Sequence, residues 1–211
     1  MLKMLWAMLG GSLVSVEIFF LTLVISVPLA LPIAFGRMSR NKWIKVPVNF
    51  YILVMRGTPL ILQIIFVYFA PYYLFHASYD RFTAVIVAFA VNYAAYFAEI
   101  YRGGIESIAK GQYEAAKVLG LTKSDTFFRI VLPQVAKRIL PASANEVITL
   151  VKDTALAQTI GVAELFRVAQ NASARQFSTL PIFVAGAFYF VMNWVVSSFF
   201  SRLEKKLAYY S

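Results

Sequence analysis

The sequence predicts an all-helical integral membrane domain with five transmembrane helices, and three observations carry the prediction. Of 211 residues, 60% are hydrophobic and only 14% are charged, whereas soluble domains carry about 25% charged residues. Apolar runs long enough to cross a bilayer alternate with short polar segments. Most of the 20 Lys and Arg residues lie in two interspan loops and the C-terminal tail. This charge pattern predicts an outer N-terminus and an inner C-terminus for a single domain over 1–211.

The composition also excludes several kinds of site. The chain has no cysteine and one histidine, His76, so neither a disulfide framework nor a multi-histidine metal site is expected. The formal charge of +10 follows the predicted inner loops, which indicates membrane orientation and argues against a nucleic-acid partner. We therefore expect no metal and no cofactor in this chain.

The first two predicted spans are 10–35 and 58–75. Pro28 and Pro32 predict a bend in the first span. Between the spans, an apolar piece over 47–55 is expected to form a helix along the cytoplasmic face. It is followed by Thr58, predicted as an N-cap, and Pro59, predicted as the first residue of the next helix.

The third and fourth predicted spans, 82–101 and 139–160, each carry polar residues at helical spacing. Each charged group near the bilayer centre costs about 2.5 to 3.5 kcal/mol on insertion scales, so these residues are expected to face protein, water or a ligand. An outer amphipathic stretch, 161–179, and a fifth span, 181–200, complete the chain. The candidate substrate-binding residues are Asn92, Tyr96, Glu99, Asn145, Glu146, Thr149, Lys152 and Asp153.

The chemistry of these residues suits a zwitterionic, cationic solute. Carboxylates accept charge-assisted hydrogen bonds from ammonium or guanidinium groups, Lys152 and the amides suit an α-carboxylate, and Tyr96 can stack on a guanidinium plane. The alternative is structural: Lys152 pairs with an acid of its own or a neighbouring helix, and Glu99 forms an ion pair with Arg102.

A polar, basic loop over 105–133 separates the third and fourth spans and reads as two short helices around a turn. The first helix is predicted over 111–119, with Gly120 stopping it in the left-handed region. Thr122 is predicted to cap the second helix in a capping box with Asp125. Pro133 is expected to end that second helix.

The spacing Glu-Ala-Ala, three residues, Gly, nine residues, Ile-x-Leu-Pro is similar to the cytoplasmic signature loop of permease subunits of ATP-binding-cassette (ABC) importers. The resemblance implies that the first loop helix is a coupling helix, seated in a groove of the ATPase subunit. The alternatives are a solvated loop and a DNA-binding helix-turn-helix, which flanking membrane spans keep from a duplex groove. The coupling residues implied are Glu114, Ala115, Ala116, Gly120, Leu132 and Pro133.

Two short segments, Arg56-Gly57-Thr58-Pro59 and Lys152-Asp153-Thr154, resemble the branch of this type I importer family that handles polar amino acids. The resemblance implies alternating-access import of polar, basic amino acids across the bacterial cytoplasmic (inner) membrane. No Walker A pattern occurs, so the chain is expected to be a non-catalytic subunit, with ATP and Mg bound by a partner.

The partners implied are that ATPase subunit, a second permease chain (a homodimer or a paralogue), an extracytoplasmic amino-acid-binding protein, the amino acid and membrane lipid. A competing hypothesis is a passive channel or a membrane assembly factor that docks a cytoplasmic partner. A membrane enzyme is a third, less supported, because no nucleophile–base constellation is recognisable.

Overall fold

A computed structural model describes residues 2–78 and 80–208. Within those residues the chain is helical and contains no strand. A π-helical segment, Thr126–Val131, leads into α7, and a 3₁₀ helix, Thr154–Ile160, follows it. The α-helices are α1 (Leu2–Met38), α2 (Lys42–Gly57), α3 (Leu60–Phe75), α4 (Arg81–Glu106), α5 (Lys110–Val118), α6 (Lys123–Asp125), α7 (Leu132–Asp153), α8 (Leu165–Gln176) and α9 (Leu180–Ala208).

Helix α4 lies at the centre of the fold and packs along α1, with α3 and α7 on its other sides. Small residues such as Ala84 and Ala98 are fully buried on α4 and let neighbouring helices approach closely. Phe89 and Phe97 fill the space between the helices and are also fully buried. The polar residues that α4 carries are therefore held in a rigid, well-packed frame.

The surface that the helices turn away from one another is apolar, as contact with a bilayer requires. Within residues 2–78 and 80–208, three helices are long and apolar enough to cross a membrane, namely α1, α4 and α9. Large side chains such as Trp194 and Phe199 of α9 are more than half exposed, which water would penalise and lipid would not. The predicted all-helical membrane architecture is confirmed at this level.

The other two predicted spans take less regular forms. Helices α2 and α3 together have the length and composition of a span but meet at an angle of 112°. The predicted fourth span, 139–160, corresponds to most of α7 and the 3₁₀ helix. The number of spans and the orientation stay predictions.

The prediction for Thr58 and Pro59 is wrong by one position. Thr58 closes α2, because both its N–H and its hydroxyl donate to the carbonyl of Val54, at 3.1 and 2.8 Å. Pro59 is extended and precedes α3, and its carbonyl accepts from the N–H groups of Leu62 and Gln63. The hydroxyl at the junction thus serves the helix that ends there.

The prediction that Pro133 ends a helix is also wrong. Pro133 is the second residue of α7, and the chain stays helical from Lys123 to Asp153. A proline in a regular helix clashes with the carbonyl four residues earlier. Here the wider π turn, Thr126–Val131, immediately precedes α7 and opens that part of the helix, as π-bulges do.

Helix α8 lies within the amphipathic stretch 161–179 and is fixed by the buried side chain of Glu164. The Glu164 carboxylate accepts from the N–H groups of Phe166 and Arg167, both at 2.7 Å, and from the Tyr189 hydroxyl at 2.9 Å. Burial raises the pKa of the Glu164 carboxyl, and these backbone hydrogen bonds oppose the rise. One carboxylate therefore caps α8 and ties it to α9.

Candidate functional site

The loop between α4 and α7 forms a helical hairpin of α5 and a second helical run that begins at Lys123; this second run was predicted to be short and instead continues into α7. Helix α5 ends at Val118, and Gly120 adopts a φ of 72°. The Leu121 N–H donates to the Ala116 carbonyl at 3.0 Å, which closes the helix end in the manner of a glycine C-cap. The Thr122 hydroxyl accepts from the Asp125 N–H at 3.1 Å. The predicted turn and the N-cap at Thr122 are confirmed. The Asp125 carboxylate accepts from the Thr122 hydroxyl, at 2.6 Å, whereas in a full capping box it accepts from the N-cap backbone N–H.

The hairpin exposes both polar and apolar side chains. Of the predicted coupling residues, Ala116 is buried, whereas the remaining five are exposed. Two apolar neighbours, Val118 and Leu119, are also exposed, at 87% and 76%. Neither residue is among the predicted coupling residues, although large apolar residues at the end of a water-facing helix are a signal of a docking surface.

Rigid contacts join the hairpin to the helices on either side. Gly104 of α4 lies so close to α7 that a Cβ atom there would fall 2.2 Å from Ile139 Cγ2. Below this contact, Ile108, Val131 and Val135 form a small buried cluster. The Arg138 guanidinium also donates to the Ser107 carbonyl. The hairpin region is therefore packed directly against both α4 and α7.

Helix α7 carries two half-buried acids, Glu146 and Asp153, seven residues apart on one face, which we call the acid pair. The hydroxyl of the buried Tyr93 donates to Asp153 Oδ2 at 2.7 Å. Among the described residues, no Lys, Arg or His nitrogen lies within 4 Å of either carboxylate. The hydrogen bond from Tyr93 to Asp153 is therefore a contact with a neutral group, and neither acid is in an ion pair within the described residues.

The other three predicted substrate-binding residues of α7 lie at the surface of the chain. Asn145, Thr149 and Lys152 are exposed, and Lys152 makes no ion pair within 4 Å in the part of the chain that the structure describes. The structural alternative, in which Lys152 pairs with an acid, is therefore not what the structure adopts.

Asn92 belongs to the junction between α2 and α3. It is 4% exposed, and its amide nitrogen donates to the Met55 carbonyl at 3.0 Å and to Gln63 Oε1 at 2.9 Å. The Gln63 amide in turn donates to Met55 and Thr58. These bonds use the Asn92 amide donors, so Asn92 holds in place the 112° bend between α2 and α3, which we call the elbow. A direct contact of Asn92 with a solute stays a prediction.

Glu99 forms the centre of an arginine cluster. Its carboxylate lies 3.1 Å from Arg37 Nε and 2.9 Å from Arg102 Nη2, which confirms the expected pair with Arg102. Arg56 Nη1 is farther away, at 3.6 Å, and the Arg56 guanidinium lies over the Tyr96 ring, 5.2 Å from its centroid. The Tyr96 ring, which was predicted to stack on a guanidinium group of the solute, thus carries the guanidinium group of Arg56 in this structure.

These groups line a cavity of about 570 Å³, which we call the arginine cavity. It lies close to the acid pair, because the centroid of the Tyr96 ring that lines it is 6.3 Å from that of Tyr93, the donor to Asp153. Its polar lining consists of Arg37, Asn49, Arg56, Tyr96 and Glu99. Arg37, Asn49 and Arg56 were absent from the predicted site, since they come from α1 and α2, whose approach to α4 no local pattern indicates.

The family profile described as "Binding-protein-dependent transport system inner membrane component" matches residues 26–209. The chain belongs to this family. Members of this permease family are transport components rather than catalysts, which agrees with the expectation of a non-catalytic subunit.

Relatives of this permease serve amino acid transport. They include the octopine transport system permease protein OccM of Rhizobium radiobacter, 36% identical over 94% of this chain and 84% of that protein. The L-cystine permease TcyB of Bacillus subtilis is 36% identical over 97% and 88%. The arginine permease ArtQ of the same organism is 36% identical over 94% and 91%. The resemblance to importer permeases of the amino acid branch is confirmed.

The permease also matches solved structures over its full length. A crystal structure of an amino acid ABC transporter with histidines superposes with a TM-score of 0.90 at 36% identity, covering 98% of this chain and 96% of that one. The MetNI methionine ABC transporter in an inward-facing conformation matches with a TM-score of 0.74 at 17% identity, covering 98% and 95%. The second likeness concerns the fold alone. Together these matches describe a multi-pass inner-membrane permease whose relatives are bacterial.

Proposed function

We propose that this permease imports amino acids with cationic side chains by alternating access, driven by a separate ATPase. The observation that carries the proposal is the acid pair, because neither carboxylate has a cation within 4 Å among the described residues. An unpaired acid in a membrane helix costs free energy, and an ammonium or guanidinium ligand offsets that cost through charge-assisted hydrogen bonds.

The acid pair is what favours a cationic side chain over a neutral one. The permeases named for octopine, cystine and arginine are equally similar to this chain, so sequence identity does not choose among them. Tyr93 supports the assignment, because its hydrogen bond orients the Asp153 carboxylate. In this proposal Tyr96 and Glu99 line the way from the acid pair toward the cytoplasmic side.

The ATPase is proposed to bind the hairpin, with α5 as the coupling helix. Glu114 and Ala115 present the exposed polar face of α5, while Val118 and Leu119 offer apolar contacts at its end. ATP and Mg are bound by that partner. The packing of Gly104 against Ile139 supports direct transmission of hairpin movement to α4 and α7.

The assembly proposed contains two permease chains, identical or paralogous, two ATPases and an extracytoplasmic amino-acid-binding protein. Each permease chain has five spans in lipid, an outer N-terminus and an inner C-terminus. Two chains are required because one chain with so few spans hardly encloses a path on its own.

The test is uptake of radiolabelled L-arginine, L-lysine and neutral amino acids by proteoliposomes that hold the complete complex. We expect ATP-dependent uptake of the basic amino acids, with Asp153→Asn and Glu146→Gln weakening uptake of these more than of neutral ones. Glu114→Arg and Gly120→Pro should abolish uptake while the receptor still captures its ligand. Uptake independent of ATP would favour a passive channel, and equal effects on all amino acids would count against the acid pair.

A further inference from the structure

The donors in the arginine cavity are largely unused. Arg56 makes no hydrogen bond with any described residue, its closest approach to a carboxylate is the 3.6 Å contact with Glu99, and its side chain is 44% exposed. Arg37 uses only its Nε, in the hydrogen bond to Glu99. Two guanidinium groups thus present N–H donors to the cavity, and a planar fork of this kind matches a carboxylate.

The cavity also contains an acceptor without a donor. Asn49 Oδ1 is buried and has no hydrogen-bond partner among the described residues. A buried polar atom left in this state costs free energy, so each such atom calls for an explanation. A bound group that carries N–H donors explains this one.

The unused guanidinium donors and the unpaired Asn49 oxygen belong to side chains that line the same cavity as Tyr96. Tyr96 holds the Arg56 guanidinium over its ring, which limits the directions in which Arg56 donates. The Glu99 carboxylate lines the same cavity and disfavours a ligand that is only anionic, such as a phosphate. A group with both charges, one beside the other, fits better.

On the basis of the proposed function, we infer that the arginine cavity binds the α-amino acid group of the solute. Arg56 and Arg37 bind the α-carboxylate, and Asn49 Oδ1 accepts from the α-ammonium group. The acid pair next to the cavity receives the cationic side chain. The permease therefore recognises the amino acid backbone as well as the side chain, independently of the external receptor.

The experiment compares amino acids with their decarboxylated amines in direct binding. The intact permease–ATPase complex is placed in lipid nanodiscs without the receptor, and binding of labelled L-arginine is competed with L-arginine or agmatine. The pairs L-lysine with cadaverine and L-glutamine with 4-aminobutyramide extend the panel. We expect each amine to bind at least about tenfold more weakly than its amino acid, since it lacks the charge-assisted contacts of the carboxylate.

Variants then identify the residue that recognises the carboxylate. Arg56→Gln should weaken amino acid binding about tenfold and leave amine binding unchanged, so that the two affinities converge, while Arg56→Lys should restore part of the difference. Arg102→Gln is the matched control: Arg102 also pairs with Glu99 but does not line the cavity, and the affinity ratio should persist. Size-exclusion elution of the complex verifies that each variant is folded.

The outcomes separate this inference from the proposed function. Equal binding of amino acid and amine, or a ratio unaffected by Arg56→Gln, overturns the inference and leaves the importer intact. An Arg56-dependent preference seen only with L-glutamine supports the inference and overturns the cationic substrate. Absence of binding throughout the panel overturns the inference, and the uptake assay then decides the proposed function.

Discussion

At the scale of single residues, the hydrogen bond from Tyr93 to Asp153 makes Tyr93 a positioning residue. Because a hydrogen bond to a charged group is worth about 1.5–3 kcal/mol, we expect Tyr93→Phe to weaken binding of L-arginine about ten- to a hundredfold and amines equally. Equilibrium binding in nanodiscs measures this. Tyr51→Phe is the control, because the Tyr51 hydroxyl donates to the Val91 carbonyl instead. Unchanged affinity in Tyr93→Phe would remove Tyr93 from the site.

The buried carboxyl of Glu164 predicts a pH dependence of stability. Burial raises its pKa above the ordinary value of 4.5, so the folded chain holds the proton more tightly than the unfolded chain. The free energy of unfolding should therefore fall as the pH rises from 4.5 through the folded pKa. Thermal unfolding in detergent between about pH 4 and 7 should show this slope, and Glu164→Gln should flatten it. The exposed Glu114→Gln should retain it.

Site residues that share one helix could be indicated by the sequence, whereas their partners on other helices could not. Asn92, Tyr96 and Glu99 were identified from helical spacing, and they do share α4. Their partners are Gln63, Arg56 and Arg37, which lie on other helices at long separations in sequence. Periodicity within one helix says nothing about such contacts, so the hydrogen bonds that join Asn92 to the α2–α3 junction were not predicted, and its contact with a solute stays a prediction.

At the scale of elements, the close approach of α4 and α7 predicts contrasting effects of two adjacent glycines. A Cβ at Gly104 would meet Ile139 Cγ2 at 2.2 Å, whereas nothing lies within 4 Å of one at Gly103. We expect Gly104→Ala to destabilise the fold by about 1–3 kcal/mol through overpacking. Gly103→Ala should be neutral or slightly stabilising, since alanine favours a helix. Thermal unfolding in detergent compares them, and equal melting temperatures would contradict this packing.

Local chemistry predicted some helix ends and not others. Gly120 and Thr122 act on backbone groups within a few residues, and the structure confirms both. Whether Pro133 ends a helix depends on the width of the preceding helical turn. Whether Thr58 caps the helix before it or the helix after it depends on which of them its hydroxyl reaches. When a side chain can act in two ways, the surrounding packing determines which one it adopts, and that packing cannot be read from a single sequence.

At the scale of the whole molecule, composition and charge indicated the membrane class because they sum over many residues. A helix along the membrane face followed by a span implied a sharp angle between α2 and α3, and the structure gives one of 112°. The bonds that Asn92 and Gln63 make across helices to hold this angle were not predicted. The elbow brings Arg56 beside Tyr96 and Glu99, and this tertiary arrangement creates the arginine cavity.

The orientation of the molecule gives the last prediction, and the absence of cysteine makes it directly testable. Lys117→Cys on α5 and Arg175→Cys on α8 are exposed positions in segments expected on opposite sides of the membrane. In intact cells without the ATPase, a membrane-impermeant maleimide should label Arg175→Cys, and Lys117→Cys only after permeabilisation, because the positive residues stay inside. The reverse pattern would put the hairpin on the outer face, where no ATP-hydrolysing partner can drive it, and would overturn the coupling proposal.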